Sequence, residues 1–161
     1  MANGRKAQAK KKSTRAQTKS GAAARRKVNP ARGDRAAAML DQSAAFQYVF
    51  GALRAMLETL APRLSIVTNK PDNYYLNTIS KSWKGRPLAF AAVQIKKNYV
   101  SYHLVPVYMN PGLLATISPA LKKHMQGKGC FNFTEPDLML FAELAVLTTA
   151  GFREYEKKGL L

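Results

Sequence analysis

Thiol, imidazole and phenol chemistry in this chain rests on a short set of residues: one cysteine, Cys130, two histidines, His103 and His124, and seven tyrosines. A nucleophile needs a base beside it, and a metal site needs several His, Cys, Asp or Glu side chains converging. Neither histidine stands in a metal-ligand spacing with the other or with Cys130, and no HExxH, CxxC or EF-hand pattern occurs. Acids are scattered, so no carboxylate pair for acid–base work stands out. The expectation is no metal, no cofactor and no catalytic residue. Cys130, next to Phe131 and close to Phe133, reads as a small buried apolar residue. His103 alternates along its segment with Ser101 and Tyr99, which predicts a histidine hydrogen-bonded within a sheet face.

One group of residues does suggest binding. Gln126-Gly127-Lys128-Gly129 lacks the GxxxxGK[ST] pattern and leads into a strand, so it reads as a helix stop and bulge. Its functional alternative is an exposed anion contact by Lys128 and backbone N–H groups. Tyr74, Tyr75, Trp83 and His103 are expected to wall a small cleft beside Lys128. Aromatic walls with a nearby cation suit a small anionic or planar ligand. An enzyme working through Tyr75, His103 and Lys128 is the alternative.

The elements that must hold these residues follow from periodicity. Phe46, Val49, Phe50, Leu53, Met56, Leu57 and Leu60 recur at spacings of three and four, which predicts a helix with one apolar stripe, capped at Asp41 or Ser43 and bounded by Pro62. Short β-branched and aromatic runs at 64–68, 74–79, 88–95, 99–108 and 130–133 predict strands, with a hairpin turn at Lys96-Lys97-Asn98. The run Leu88 to Val93 alternates so little that it suggests a strand covered on both faces. Ser118-Pro119 opens a short helix, and Thr134 or Asp137 opens a closing one whose apolar face carries Phe141, Leu144, Ala145, Thr148, Phe152 and Tyr155. The expected fold class is α+β: an antiparallel sheet of about four strands packed against an N-terminal and a C-terminal helix.

Ahead of this domain the composition changes. Of 26 Lys and Arg against 9 Asp and Glu, residues 1–38 hold 12 bases and one acid, Asp34. The segment has no Phe, Trp, Tyr, Leu or Ile, so it cannot bury enough surface to offset the entropy of ordering. It is expected to be a disordered basic arm, 1–38, preceding a domain over 39–161. Its composition is similar to the tails of linker histones. Arg5, Lys6, Lys10, Lys11, Lys12, Arg15, Arg25, Arg26 and Lys27 are the residues expected to meet DNA or RNA phosphates, without sequence preference because no aromatic and no rigid element accompanies them. No run approaches the roughly 18 to 20 apolar residues a membrane span needs, and the start has no apolar signal region, so a cytoplasmic protein with no membrane partner is expected.

Several motifs carry a family resemblance. Tyr74-Tyr75-Leu76, Lys84-Gly85-Arg86-Pro87-Leu88, the segment Val93 to Leu104, Ser118-Pro119 and Met125 to Phe133 together resemble the YdhG-like bacterial domain of unknown function, over about residues 44–158. The resemblance implies a small α+β fold with helices against a sheet, in a bacterial cytoplasmic protein, and supplies no catalytic residues. Some relatives in that wider family are described as frataxin-like iron chaperones. Such a role asks for an acidic surface with oxygen ligands. Residues 39–161 carry 14 bases and 8 acids, which disfavours iron. The reading that results is a non-enzymatic small-ligand or protein-binding module whose basic arm binds nucleic acid nonspecifically.

Overall fold

The apolar stripe of the first helix decides which side of the sheet becomes the core. The computed structural model describes residues 30–81 and 84–161. Helix α1 (Pro30–Glu58) buries Phe46, Val49, Phe50, Leu53 and Leu57, the stripe set by the three-and-four spacing. A 3-10 turn at Ala61–Arg63 follows it, placed by Pro62. Strands β1 (Ser65–Lys70), β2 (Asn73–Asn77), β3 (Ala89–Ile95) and β4 (Val100–Leu104) come next. Short helices α2 (Pro106–Met109) and α3 (Pro119–Lys123) flank a 3-10 segment at Pro111–Thr116. Strands β5 (Met125–Gln126) and β6 (Cys130–Phe133) form a hairpin, and helix α4 (Leu138–Lys157) closes the chain. The strands make one six-stranded sheet in the order β1-β2-β3-β4-β6-β5, and every pairing is antiparallel. This is an α+β fold.

Register sorts the strand residues between two faces. Tyr74, Val93, Tyr102 and Phe131 are neighbours across four strands, and all four are buried. Helices α1 and α4 both cover this face. Phe133 packs edge-on to Phe141 of α4 at 5.1 Å. The Tyr102 hydroxyl lies 2.7 Å from Thr148 Oγ1, which donates in turn to the Leu144 carbonyl at 2.7 Å. Both side chains are fully buried, so this two-bond relay is the polar tie between β4 and α4.

Four expectations are corrected. The helix begins at Pro30, not near Asp41 or Ser43, so residues 30–38, read as part of the arm, continue α1. The Ala36-Ala37-Ala38 run favours helix, and no proline follows Pro30 before Glu58. The arm residues from Arg5 to Lys27 lie outside the described residues. The sheet has six strands where about four were expected, because Met125-Gln126 pairs with Phe131 and Cys130 in a hairpin too short to show a period. The run 99–108 ends as a strand at Leu104, since Pro106 starts α2.

The fourth concerns β3. Its lack of alternation does not come from burial on both faces. Leu76 pairs with Ala91 and Asn77 with Ala89, leaving Phe90 as the extra residue of a bulge. Phe90 and Ala91 therefore both turn to the core, where Phe90 meets the rings of Phe152 and Tyr155, each at 5.7 Å. The carbonyl of Ala89 accepts from the Tyr155 hydroxyl at 3.0 Å.

Local signals elsewhere hold. Ser118 caps α3 by accepting from Leu121 N at 3.1 Å, and its hydroxyl donates to Glu143 of α4 at 2.8 Å. Asp137 caps α4 through Met139 N and Leu140 N. Among the described residues no helix is long and apolar enough to cross a membrane.

The relay through Thr148 gives a stability test. Thr148→Val leaves the Tyr102 hydroxyl buried without an acceptor and is expected to cost about 1–3 kcal/mol. Adding Tyr102→Phe removes the stranded hydroxyl and recovers part of that loss, read as a rise in the urea midpoint of the double variant over Thr148→Val alone.

Candidate functional site

The face of the sheet opposite the two long helices carries the residues able to bind. Pairing places Tyr75 beside Ala92, Ala92 beside His103, His103 beside Cys130 and Cys130 beside Gln126, a row that crosses β2, β3, β4, β6 and β5. A second row runs Asn73, Gln94, Ser101, Asn132. From Asn73 to Asn132 these residues are partly exposed, in alternation with buried core neighbours. The face is built of amides, hydroxyls, one thiol and rings. None of the chain's acids lies in a strand.

Side chains on this face bond to one another. Gln94 Nε2 donates to Asn73 Oδ1 at 3.2 Å, and Asn132 Nδ2 donates to Gln126 Oε1 at 2.6 Å. Lys96 Nζ donates to Gln94 Oε1 from the β3–β4 turn. Asn77 Oδ1 and Asn132 Oδ1 are shielded acceptors with no hydrogen-bond partner. An antiparallel sheet with one packed face normally alternates in this way. What is particular here is the ring content and the sign of the surrounding charge.

His103 and Cys130 meet at 2.7 Å between Nδ1 and Sγ. Partial burial lowers the imidazole pKa from its ordinary 6.5 and raises the thiol pKa, in both cases because desolvation penalises the charged form. Both shifts favour the uncharged forms, and which of the two atoms donates follows from the imidazole tautomer. Both run against the thiolate–imidazolium arrangement of an activated cysteine. The expectation that His103 is held by a hydrogen bond within a sheet face is met, with Cys130 as its partner. Cys130 itself departs from expectation: it is a partly exposed residue of the open face, whereas Phe131 and Phe133 on either side of Asn132 are buried.

Tyr108, from α2, completes the cluster. Its ring lies 5.6 Å from that of His103, tilted by 30°. Gly129 makes room for it, since a Cβ there would stand 2.8 Å from Tyr108 Cε2 and 2.7 Å from the Leu104 carbonyl. Burial, with the neighbouring Cys130, raises the phenol pKa of Tyr108. Sequence reasoning misses Tyr108 because the run 99–108 reads as a single strand. The proline two residues ahead is the signal that could have placed it on a helix.

The expected ligand set divides. Tyr75 and His103 share a row, separated only by Ala92. Lys128 sits on the exposed β5–β6 turn, two residues before Cys130 at the far end of that row. Tyr74 is corrected: consecutive strand residues point to opposite faces, and Tyr74 is 1% exposed on the helix-covered side, with the Arg54 guanidinium 5.1 Å from its ring centroid. Its pKa is raised by burial first and then by the Glu58 carboxylate. Trp83 lies outside the described residues. The segment Gln126 to Gly129 is a hairpin turn with Gly127 at φ +75°, not a helix stop.

Charge is unevenly shared between the layers. Residues 64–134, which build the sheet, carry nine Lys and Arg against one acid, Asp72. Residues 39–63 carry two against two, and residues 135–161 carry three against five. All the excess positive charge of the folded part thus belongs to the sheet and its connections. Among the described residues, no three His, Cys, Asp or Glu side chains come together as a metal site would require. No family model, curated protein or solved structure matches the chain.

Two outcomes are expected. The folded imidazole of His103 has a lowered pKa, so its contribution to stability is present above pH 6.5 and is lost as the pH falls through the lower folded value. The urea midpoint should therefore drop on going from pH 7 to pH 5, and the drop should be smaller in His103→Gln. Gly129→Ala should lower the midpoint at every pH, because the Leu104 carbonyl it would strike is backbone.

Proposed function

We propose that the chain is a non-enzymatic binding module for nucleic acid. The observation that carries this reading is the distribution of charge: 12 bases and one acid in residues 1–38, nine bases and one acid in the sheet-building part, and a sheet face with no acid in its strands. Leader charges from Arg5 to Lys27 supply attraction to phosphate by counterion release, which needs no fixed structure and reads no sequence. The open sheet face supplies a surface on which a ligand rests. The His103–Cys130 pair, whose shifts disfavour the charged forms and to which no carboxylate is bonded among the described residues, favours binding over catalysis. The resemblance to YdhG-like domains supports an α+β binding module and assigns no residue. In this reading the protein works in the cytoplasm, where nucleic acid is within reach. An iron-carrying role has less support, because it calls for clustered oxygen ligands on an acidic surface.

The test is the salt dependence of duplex DNA binding by the full chain. Replacing Lys10, Lys11 and Lys12 together by Gln should weaken binding and lower the slope of log K against log salt by up to about 3, close to one for each phosphate that is no longer neutralised. Fluorescence anisotropy at several salt concentrations reads both quantities. An unchanged slope would remove the leader from the binding machinery.

A further inference from the structure

We propose that the open sheet face binds single-stranded nucleic acid, with one base stacked between Tyr75 and His103 over Ala92. This rests on the nucleic-acid reading above and names the substrate class of the face. Ala92 stands one strand from each ring, so Tyr75 and His103 are two strand spacings apart, about 9.6 Å. A planar ring midway between them would lie about 4.8 Å from each, within the centroid separations of aromatic pairs. Ala92, the residue between them, contributes only a methyl group to this face. Tyr108, 5.6 Å beyond His103, extends the series of π faces.

The polar residues fit the same occupant. The neighbouring row of Asn73, Gln94, Ser101 and Asn132 is uncharged, partly exposed and carries donors and acceptors of the kind that base edges pair with. Cations stand at its rim: Lys70 opposite Asn73 on β1, and Lys96 and Lys128 on turns. Such a rim attracts phosphates, and an acid-free floor does not repel them. A sheet face reaches only bases that are already unstacked, whereas a paired duplex presents grooves that a helix or a two-stranded ribbon must enter. Rings among uncharged side chains and lysines at the margin form a stacking platform with electrostatic capture.

The experiment uses the full chain and two labelled probes, a single-stranded 12-mer and the duplex of the same sequence, with anisotropy as the readout. Tyr75→Leu should weaken single-strand binding about tenfold and leave duplex binding unchanged, while Tyr75→Phe, which keeps the ring, should bind as the parent does. A 12-mer containing 2-aminopurine should change its emission on binding the parent and Tyr75→Phe, and not on binding Tyr75→Leu. Equal single-strand affinity in Tyr75→Leu and the parent overturns the proposal, as does an equal loss for both probes. The glutamine replacements at Lys10, Lys11 and Lys12 separate the two readings. If they weaken both probes while Tyr75→Leu weakens neither, the face is not the site and the charged leader remains. If Tyr75→Leu acts on the single strand and the leader replacements act on neither, the face stands and the leader falls.

Discussion

Both long helices lie on one face of the sheet, and that commitment follows from a single ladder of side chains. Tyr74, Val93, Tyr102 and Phe131 occupy one register row, all buried, and α1 and α4 must cover them together because neither stripe alone spans the strands. Burying such large side chains contributes about 1.5–3 kcal/mol each. The buried relay from Tyr102 to Thr148 to the Leu144 carbonyl then fixes where α4 sits, since any shift would strand a hydroxyl in the core. The opposite face is left without a long helix and meets the short α2 through Tyr108.

That face has to be compatible with water, and its residues are: amides, a serine, a histidine and a thiol, several of them bonded to one another across strands. Its lack of acids does not follow from solubility, for carboxylates would serve equally well on a solvated strand. Apart from Asp72 in the β1–β2 turn and Glu135 ahead of α4, the acids are placed on helices and at a helix cap, where Asp137 and Glu143 hold backbone groups. Helices and sheet therefore divide the charge between them, and the sheet half is the cationic one.

Much of this fold is legible in the sequence alone. The α1 stripe, the β3–β4 hairpin, the Ser118 and Asp137 caps and the apolar face of α4 each follow from a local rule acting on a few residues. The bulge at Phe90 is not, because an extra residue in a ladder is defined by its partner strand, and a one-sided strand with a bulge has the same apolar run as a strand buried on both sides. The candidate site is half legible. Alternation places His103 and Tyr75 on their faces, and the same rule separates Tyr74 from Tyr75, which grouping aromatic residues by proximity in sequence obscures. The cross-strand meeting of His103 with Cys130, and the seat of Tyr108 against Gly129, depend on register between segments more than 20 residues apart, which no local pattern encodes.

Helix α1 is 29 residues long, yet its buried stripe starts only at Phe46, and residues 37–44 are exposed. At about 1.5 Å per residue, the nine residues from Pro30 to Ala38 carry the end of the helix about 13 Å beyond Met39. The overhang works as a boom. It sets Pro30 at a standoff from the folded body; on the nucleic-acid reading proposed above, leader and sheet would then address separate stretches of one polyanion rather than the same phosphates. On that reading, two weak grips joined through one helix gain by avidity what neither would hold alone.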